Sequence, residues 1–528
     1  MARSFEFHAR TISALTFLSR ITGLARDAAM SRVFGVGVVT DAFSFAFMVP
    51  NLFRRLFGEG ALTSSFLPVY AQVQDRDPAV GKALARMVLS RVAVFLAGVC
   101  ILGEVLLWIF WPSGGQDSAI LSARMVGILL PYMPLICLVA LMGAVLQVHH
   151  RFGPTAAAPI ILNLMIVLTS VGLAPSMMRR FGFAVIDPTK HIMVVAVSVL
   201  VAGILQWVWS AWSLRSLDIG SGVICPESRA KFVQVIRQAV PMALGLGVLQ
   251  VNTFVDGIIA SYPTLIGPTI FGVAFPLQEG SMASMSFAQR LYEFPLGVFG
   301  ISVATAIFPQ LSREAKDPVA FRISMARALR LVMFIGFPAS IGLILLRVPL
   351  TASVFQGDSF SSEDTERVAK ILMAFAPAIW AYSANQLLTR AFYARGEPMT
   401  PVLVAVSMVA LNFLLNITLI WTPLNTAGLA LSTAFCAILQ MIILQRLLAH
   451  RVGPMITGDV RRSWWHTFFA SIFMGGVLSG AMLFTPTNSS WIVTVCVLLG
   501  LVGLGGGAFF VCAKILRMPE LRWALGKQ

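Results

Sequence analysis

The chain has 528 residues, 57% of them hydrophobic and 12% charged, with a formal net charge of +16. A soluble core this apolar would leave no polar surface for water, so repeated runs of about 20 apolar residues are read as membrane-crossing helices. The basic excess is then cytoplasmic loop charge rather than a nucleic-acid footprint, and no nucleic-acid partner is expected.

Fourteen candidate spans follow one another, giving an all-α polytopic membrane protein. The first two cover residues 12–34 and 38–70 and break the usual rule for such helices. Span one carries Arg20, Arg26, Asp27 and Arg32; span two carries Asp41, Asn51, Arg54, Arg55 and Glu59. A charge at the bilayer centre costs about 2.5–3.5 kcal/mol on insertion scales. Five arginines facing lipid would be prohibitive, so they must line a water-filled cavity suited to an anion. Gly23, Gly35 and Gly37 loosen the first helix, and Pro50 breaks the second and frees backbone groups. Asp27 directly follows Arg26, about 100° round the helix, so the two do not share a face. Plainer roles stay open: snorkelling for Arg32 and Arg55, and an ion pair with Asp27 or Glu59 for Arg26 and Arg54. Asp41, at the outer end of span two, is expected to pair with an arginine.

Spans three to six cover 88–111, 121–148, 156–178 and 190–213. Span seven, 235–262, holds one interior acid, Asp256. Span eight, 281–309, contains Arg290 with Glu293 one turn on; this is either a helix pair or a third cationic arm. Arginine suits phosphate because its planar fork makes two charge-assisted bonds, so several converging arginines would match a pyrophosphate. Spans nine and ten cover 328–348 and 370–394. Span eleven, 400–421, places Asn412 and Asn416 at i,i+4. With Asp256 these oxygens could hold a sodium ion, or simply bond helix to helix. Spans twelve to fourteen are 427–447, 465–485 and 491–513. The triplet Gly505-Gly506-Gly507 lacks the Lys-Ser/Thr of a phosphate loop and reads as close packing. His149-His150 has no matching ligands, no Ser-His-Asp set is present, and the six cysteines show no metal or redox spacing and read as packing residues. The polar Met1 to Arg10 stretch is not a cleavable signal.

Loop charge sets the orientation. With the N-terminus inside, 26 basic residues fall at cytoplasmic ends, seven outside and six within spans, which supports both termini in the cytoplasm. An internal repeat is also visible. Pro68 and Pro309 are 241 residues apart, Tyr132-x-Pro134 and Phe375-x-Pro377 are 243 apart, and Arg151 and Pro154 recur 244 on as Arg395 and Pro398. These offsets imply a duplicated six-helix unit whose copies share one orientation. The expected organisation is an N-terminal lobe over 1–220, a C-terminal lobe over 221–452, and an extra helix pair over 453–528.

The motifs Gly23-Leu24-Ala25-Arg26-Asp27, Thr40-Asp41-Ala42-Phe43, Pro50-Asn51-Leu52-x-Arg54-Arg55-Leu56-Phe57-x-Glu59-Gly60 and Arg290-Leu291-Tyr292-Glu293-Phe294-Pro295-x-Gly297-Val298 are together similar to the MurJ (MviN) family of the MOP superfamily. That family comprises lipid II flippases of bacterial peptidoglycan synthesis. The resemblance is densest over 19–70 and 287–311. It implies alternating access around a central cavity, with lipid II as substrate and no catalysed reaction. It also implies residence in the bacterial cytoplasmic (inner) membrane, contact with membrane lipids, a lipid-tail groove on the last two helices, and association with cell-wall synthesis proteins. Arg26, Asp27, Arg54 and Arg290 match positions implicated in substrate contact; Arg20 and Asp41 match other functional positions, and Arg55 lies beside them. Asp256, Asn412 and Asn416 fall near a sodium site found in some members. Three features depart from the family. Gln289 stands where aspartate is common, Asn416 stands where a sodium-binding member has a carboxylate, and the Tyr262–Met285 segment is longer. Two other readings are a flippase for a different undecaprenyl-linked oligosaccharide and a MATE-type cation-coupled drug antiporter. The latter would need cavity carboxylates where this chain has arginines.

Overall fold

The computed structural model describes residues 2–58, 60–111, 115–180, 186–297, 301–486 and 490–524. The chain is helical nearly throughout. In order the helices are α1 (Ala2–Phe34), α2 (Val38–Phe53), α3 (Ala61–Arg76), α4 (Pro78–Ile109), α5 (Asp117–Leu129), α6 (Tyr132–Val148), α7 (Gly153–Leu168), α8 (Ala174–Arg180), α9 (Pro188–Arg215) and α10 (Pro226–Leu265). A two-stranded hairpin follows, β1 (Thr269–Ile270) and β2 (Val273–Ala274). Then come α11 (Ser281–Pro295), α12 (Ile301–Arg313), α13 (Pro318–Phe355), α14 (Ser362–Phe375), α15 (Ile379–Ala394), α16 (Met399–Leu419), α17 (Thr426–Val452), α18 (Gly458–Met482), α19 (Trp491–Ile515) and α20 (Pro519–Ala524).

Among the described residues, nine helical stretches are long and apolar enough to cross a membrane. They coincide with expected spans three to six, nine to twelve and fourteen. The other five expected spans are helical too, and the fourteen-span reading is consistent with this set. Span one carries four charges. Span two is interrupted by a π-helix at Arg54–Gly58, and in span eight α11 ends at Pro295.

Helix starts follow local chemistry. Asp77, Asp187 and Asp317 each precede a proline, and each carboxylate accepts backbone N–H bonds from the first turn that follows. Cys225 performs the same task for α10, in a reciprocal cap with Ser228. The hydrogen bond from the Ser228 backbone N–H holds that thiol below its ordinary pKa. The expectation that the cysteines are packing residues holds for Cys100, Cys137 and Cys436, which are buried; Cys225 is a helix cap and Cys496 is exposed.

The chain forms two compact units, residues 1–283 with 357–360, and residues 284–356 with 361–528. Packing thus groups Pro226–Leu265 with the first unit, although the sequence repeat starts its second copy near 221. Duplication and packing divide a chain by different criteria.

The first unit is built round Phe66, Tyr70 and Tyr132, all fully buried. Helix α9 comes close to this core at Gly203, where a Cβ would lie 2.6 Å from the Tyr132 ring. The segment Gly357–Phe360 seals the end of α1. Ser359 donates through its amide to Arg32 O at 3.3 Å and through its hydroxyl to Val33 O at 3.0 Å. Gly35 has φ +65°, and a Cβ there would sit 2.0 Å from Ser359 O, so only glycine fits.

The second unit is built round Phe321, Phe392, Leu387 and Leu444. A further cluster of Leu346, Met474, Leu478, Leu498 and Leu501 joins α13, α18 and α19. Of the glycine triplet, Gly505 alone makes a close approach, against Leu478; an added Cβ at Gly506 or Gly507 would meet nothing within 4 Å.

The short α20 is clasped to the same unit. Glu520, fully buried, accepts from Arg330 Nε at 2.5 Å and from the Ser463 hydroxyl at 2.6 Å. Arg327 and Arg330 lie over the Trp523 ring at 4.6 and 4.9 Å. Glu520→Ala strands the largely buried Arg330 charge, and breaking a buried pair costs about 3–5 kcal/mol. The purified variant is expected to melt at a clearly lower temperature than the parent. An unchanged melting midpoint would show that the clasp contributes nothing to stability.

Candidate functional site

In the first unit the site grows from α1, α2 and α7. Arg26 donates from Nη2 and Nε to Asp27 Oδ1 at 2.7 and 2.9 Å, and both side chains are largely buried, at 13% and 14% exposure. Adjacent residues on a helix do not share a face, yet these two pair. The long arginine stem lets the guanidinium turn back across the roughly 100° between them. Arg26 Nη1 also donates to Asn163 Oδ1 on α7 at 3.3 Å, and its guanidinium lies 5.8 Å from the Phe47 ring centroid. Asn163 in turn donates to Ser19 O and to the Thr22 hydroxyl of α1. It therefore holds the arginine helix and orients Arg26 at once. Asn163 is a site residue that the sequence does not single out. Its one signal is a lone amide in the apolar run Pro159–Leu168. Arg20 is half-buried, seven residues before Asp27 and so on the same stripe of α1.

Arg54 and Arg55 owe their positions to the broken end of span two. Pro50 has no N–H to give the preceding turn, and the Asn51 amide donates back to Phe47 O at 3.0 Å. The π-helix then begins at Arg54, whose Nε donates to Asn51 Oδ1 at 3.3 Å. Such an insertion rotates the following side chains out of α-register and is frequent at functional sites. Arg54 is partly buried and Arg55 is exposed. Glu59, a candidate partner for Arg54, lies outside the described residues.

Asp41, expected to pair with an arginine, has a fully buried carboxylate that accepts three hydrogen bonds. Oδ2 accepts from the Thr264 hydroxyl at 3.0 Å and from Gly280 N at 2.6 Å; Oδ1 accepts from Ala283 N at 2.7 Å. Asp41 of α2 thus sits at the start of α11, where free N–H groups and the helix dipole favour a negative charge, and it is bonded to the end of α10 as well.

Asp256, on α10, is buried and accepts from Asn252 Nδ2 at 3.3 Å. The following residue, Gly257, leaves room for Met48, whose Sδ would lie 2.6 Å from an added Cβ.

In the second unit, Arg290 Nη1 lies 3.7 Å from Glu293 Oε2, with the side chains 39% and 44% exposed. An exposed pair of this kind is worth little. Tyr292 is fixed between Phe375 and Tyr382, with ring centroids 4.7 and 5.6 Å away, which steadies this turn of α11. Gln289 is half-buried beside it. Asn412 and Asn416 are both buried. Asn416 donates to Asn412 Oδ1 at 3.0 Å, Asn412 donates to the Ser432 and Thr433 hydroxyls, and Ser432 donates to Asn416 Oδ1. These bonds join α16 to α17. Asp256 belongs to the other unit, and among the described residues no three His, Cys, Asp or Glu side chains cluster as metal ligands.

A family model described as "Lipid II flippase MurJ" matches residues 30–502. The "Probable lipid II flippase MurJ" of Vibrio cholerae serotype O1 is 30% identical, with 97% of each chain covered. The "Lipid II flippase MurJ" of Burkholderia cenocepacia is 28% identical over 91% of this chain and 90% of its own. Among solved structures, "Lipid II flippase MurJ, inward closed conformation" superposes with a TM-score of 0.74 at 22% identity, covering 96% of this chain and 98% of that one. A multidrug resistance MATE family transporter of the MOP superfamily, in an inward-facing conformation, gives 0.64 at 14% identity over 84% and 96%. These structural likenesses speak to the fold.

Proposed function

The chain belongs to the lipid II flippase MurJ family, and from that premise we propose that it carries lipid II across the bacterial cytoplasmic membrane by alternating access. The observation that carries the reading is the largely buried guanidinium of Arg26 on the arginine-bearing α1, held by Asp27 and Asn163. No lipid-facing helix could keep such charges, and an anionic headgroup gives them a purpose. Arg26, Arg54 and Arg290 are assigned to the pyrophosphate, with Arg20, Arg55 and Asp27 shaping the surrounding charge. A MATE-type antiporter shares the fold, but it binds cations, which this arginine set repels. The direct test is complementation. A bacterium depleted of its own lipid II flippase should grow when this chain is expressed, and lysis despite membrane-inserted protein would refute the reading.

Coupling follows from charge. Outward movement of an anionic headgroup is favoured by an inside-negative potential, by about 2.3 kcal/mol per charge per 100 mV. The same potential favours inward return of an empty cationic cavity, so voltage alone can reset the cycle. Asn412 and Asn416 offer amide oxygens that already accept hydrogen bonds, and amide oxygens carry no charge to offset that of a cation. A sodium ion at Asp256, Asn412 and Asn416 is therefore assigned an auxiliary role. Collapsing the potential should slow flipping in proteoliposomes more than removing sodium does, and Asp256→Asn should cause a partial defect. Flipping that persists without potential but stops without sodium would reverse this order.

A further inference from the structure

The segment between α10 and α11 is a hairpin built to display apolar side chains. Thr269 pairs with Ala274 and Ile270 with Val273, leaving Phe271 and Gly272 as the two turn residues. Both have positive φ, +50° and +80°. A two-residue turn of this hand favours Asn-Gly, and a bulky residue at the first position is disfavoured. Yet Phe271 occupies it, and its side chain is 99% exposed. Nothing within the described fold rewards that choice. Ile266 and Val273 are also exposed, at 63% and 57%.

The hairpin is held rigidly beneath this tip. The Tyr262 and Phe275 rings stack at 4.2 Å, the Tyr262 hydroxyl donates to Thr269 O at 3.1 Å, and Phe275 N donates to Pro268 O at 2.8 Å. Two further observations say what covers the tip. From Gly257 to Gln278 there is no Asp, Glu, Lys, Arg or His, although a loop in water would normally carry charge. In addition, Gly267 at the hairpin base lies beside Gln116, in the loop that follows α4. The end of α4 shows Trp108 and Phe110, 78% and 77% exposed. Exposed aromatics at the end of a membrane-crossing helix mark the interfacial belt of the bilayer. The hairpin stands at the same end of the same unit.

We propose that the Phe271 tip, with Ile266 and Val273, inserts into the interfacial region of the lipid bilayer and anchors the α10–α11 junction to it. Uncharged strands and a protruding aromatic fit the headgroup–acyl boundary, where an apolar face buries about 5–10 Å. The inference rests on the multi-pass placement of the chain and not on which substrate it carries.

The test uses the full chain in liposomes of phosphatidylethanolamine and phosphatidylglycerol. A nitroxide is attached at Phe271→Cys after Cys225, Cys496 and Cys512 are replaced by alanine. Trp108→Cys serves as the reference for lipid and Lys316→Cys, exposed in the charged turn between α12 and α13, as the reference for water. Collisions with oxygen should exceed those with a water-soluble nickel chelate at position 271, giving a depth of about 5–10 Å below the phosphates. Nickel collisions exceeding oxygen would place the tip in water and overturn the proposal. A spectrum shielded from both would place it against protein and overturn the proposal equally.

Discussion

Arg26→Ala is expected to abolish support of growth in a flippase-depleted bacterium at normal protein levels. Two effects combine. The guanidinium makes bonds to Asp27 and Asn163, and removing it leaves the Asp27 carboxylate largely buried without its cation, at a cost of about 3–5 kcal/mol. It also removes one of the forks assigned to the pyrophosphate, and hydrogen bonds between charged groups contribute about 1.5–3 kcal/mol each. A loss of about 3 kcal/mol from substrate binding alone is roughly a hundredfold. Arg26→Lys should rescue poorly, because an ammonium cannot present the two-pronged donor set that reaches Asp27, Asn163 and a phosphate together. The structural and transport effects separate in a double variant. Arg26→Ala with Asp27→Asn removes the stranded charge and should recover thermal stability. If it also recovers growth, Arg26 serves only to neutralise Asp27 and the substrate assignment is wrong. Growth supported by Arg26→Ala alone would end the matter sooner.

The arginine helix is legible in the sequence because charge in an apolar run has few explanations. The helix starts are legible too, since Asp-Pro at 77, 187 and 317 is a local signal that tertiary packing has no reason to override. Pro50 reads as a break, but α2 runs through it to Phe53 and the irregular turn begins only at Arg54. A π-helix at Arg54–Gly58 differs from an ordinary turn by one residue, and no propensity distinguishes them. Asn163 is hidden for a similar reason: one amide in a membrane helix names no partner, and its bonds to Ser19, Thr22 and Arg26 span about 140 positions of chain. The 262–285 segment stands out by its length, but the alternation of a two-residue strand is too short to read as a hairpin. The Arg26–Asp27 pair shows the limit of helical-wheel reasoning. The wheel describes where Cβ points, and an arginine carries its charge several bonds further.

Asp41 offers the second large effect, and its geometry alters what the effect means. Matched only by motif, it reads as a residue of the transport pathway. In the structure its carboxylate is fully buried and committed to three donors, the Thr264 hydroxyl and the amides of Gly280 and Ala283. Each such bond to a charged acceptor contributes about 1.5–3 kcal/mol, and losing the acceptor leaves two backbone N–H groups unsatisfied. Asp41→Ala should therefore lower the melting midpoint of the purified, substrate-free protein by an amount corresponding to at least about 3 kcal/mol. Asp41→Asn keeps the shape but turns one oxygen into an NH2 that must face N–H donors, so it should recover only part of that loss. Asp41→Glu adds a methylene at a fully buried position and should fail as well. Growth support should fall in the same order as stability, because one side chain joins α2, the end of α10 and the start of α11. A residue that only touched lipid II would behave differently, losing transport with its melting midpoint intact. That result for Asp41→Ala would remove Asp41 from the architecture and return it to the substrate.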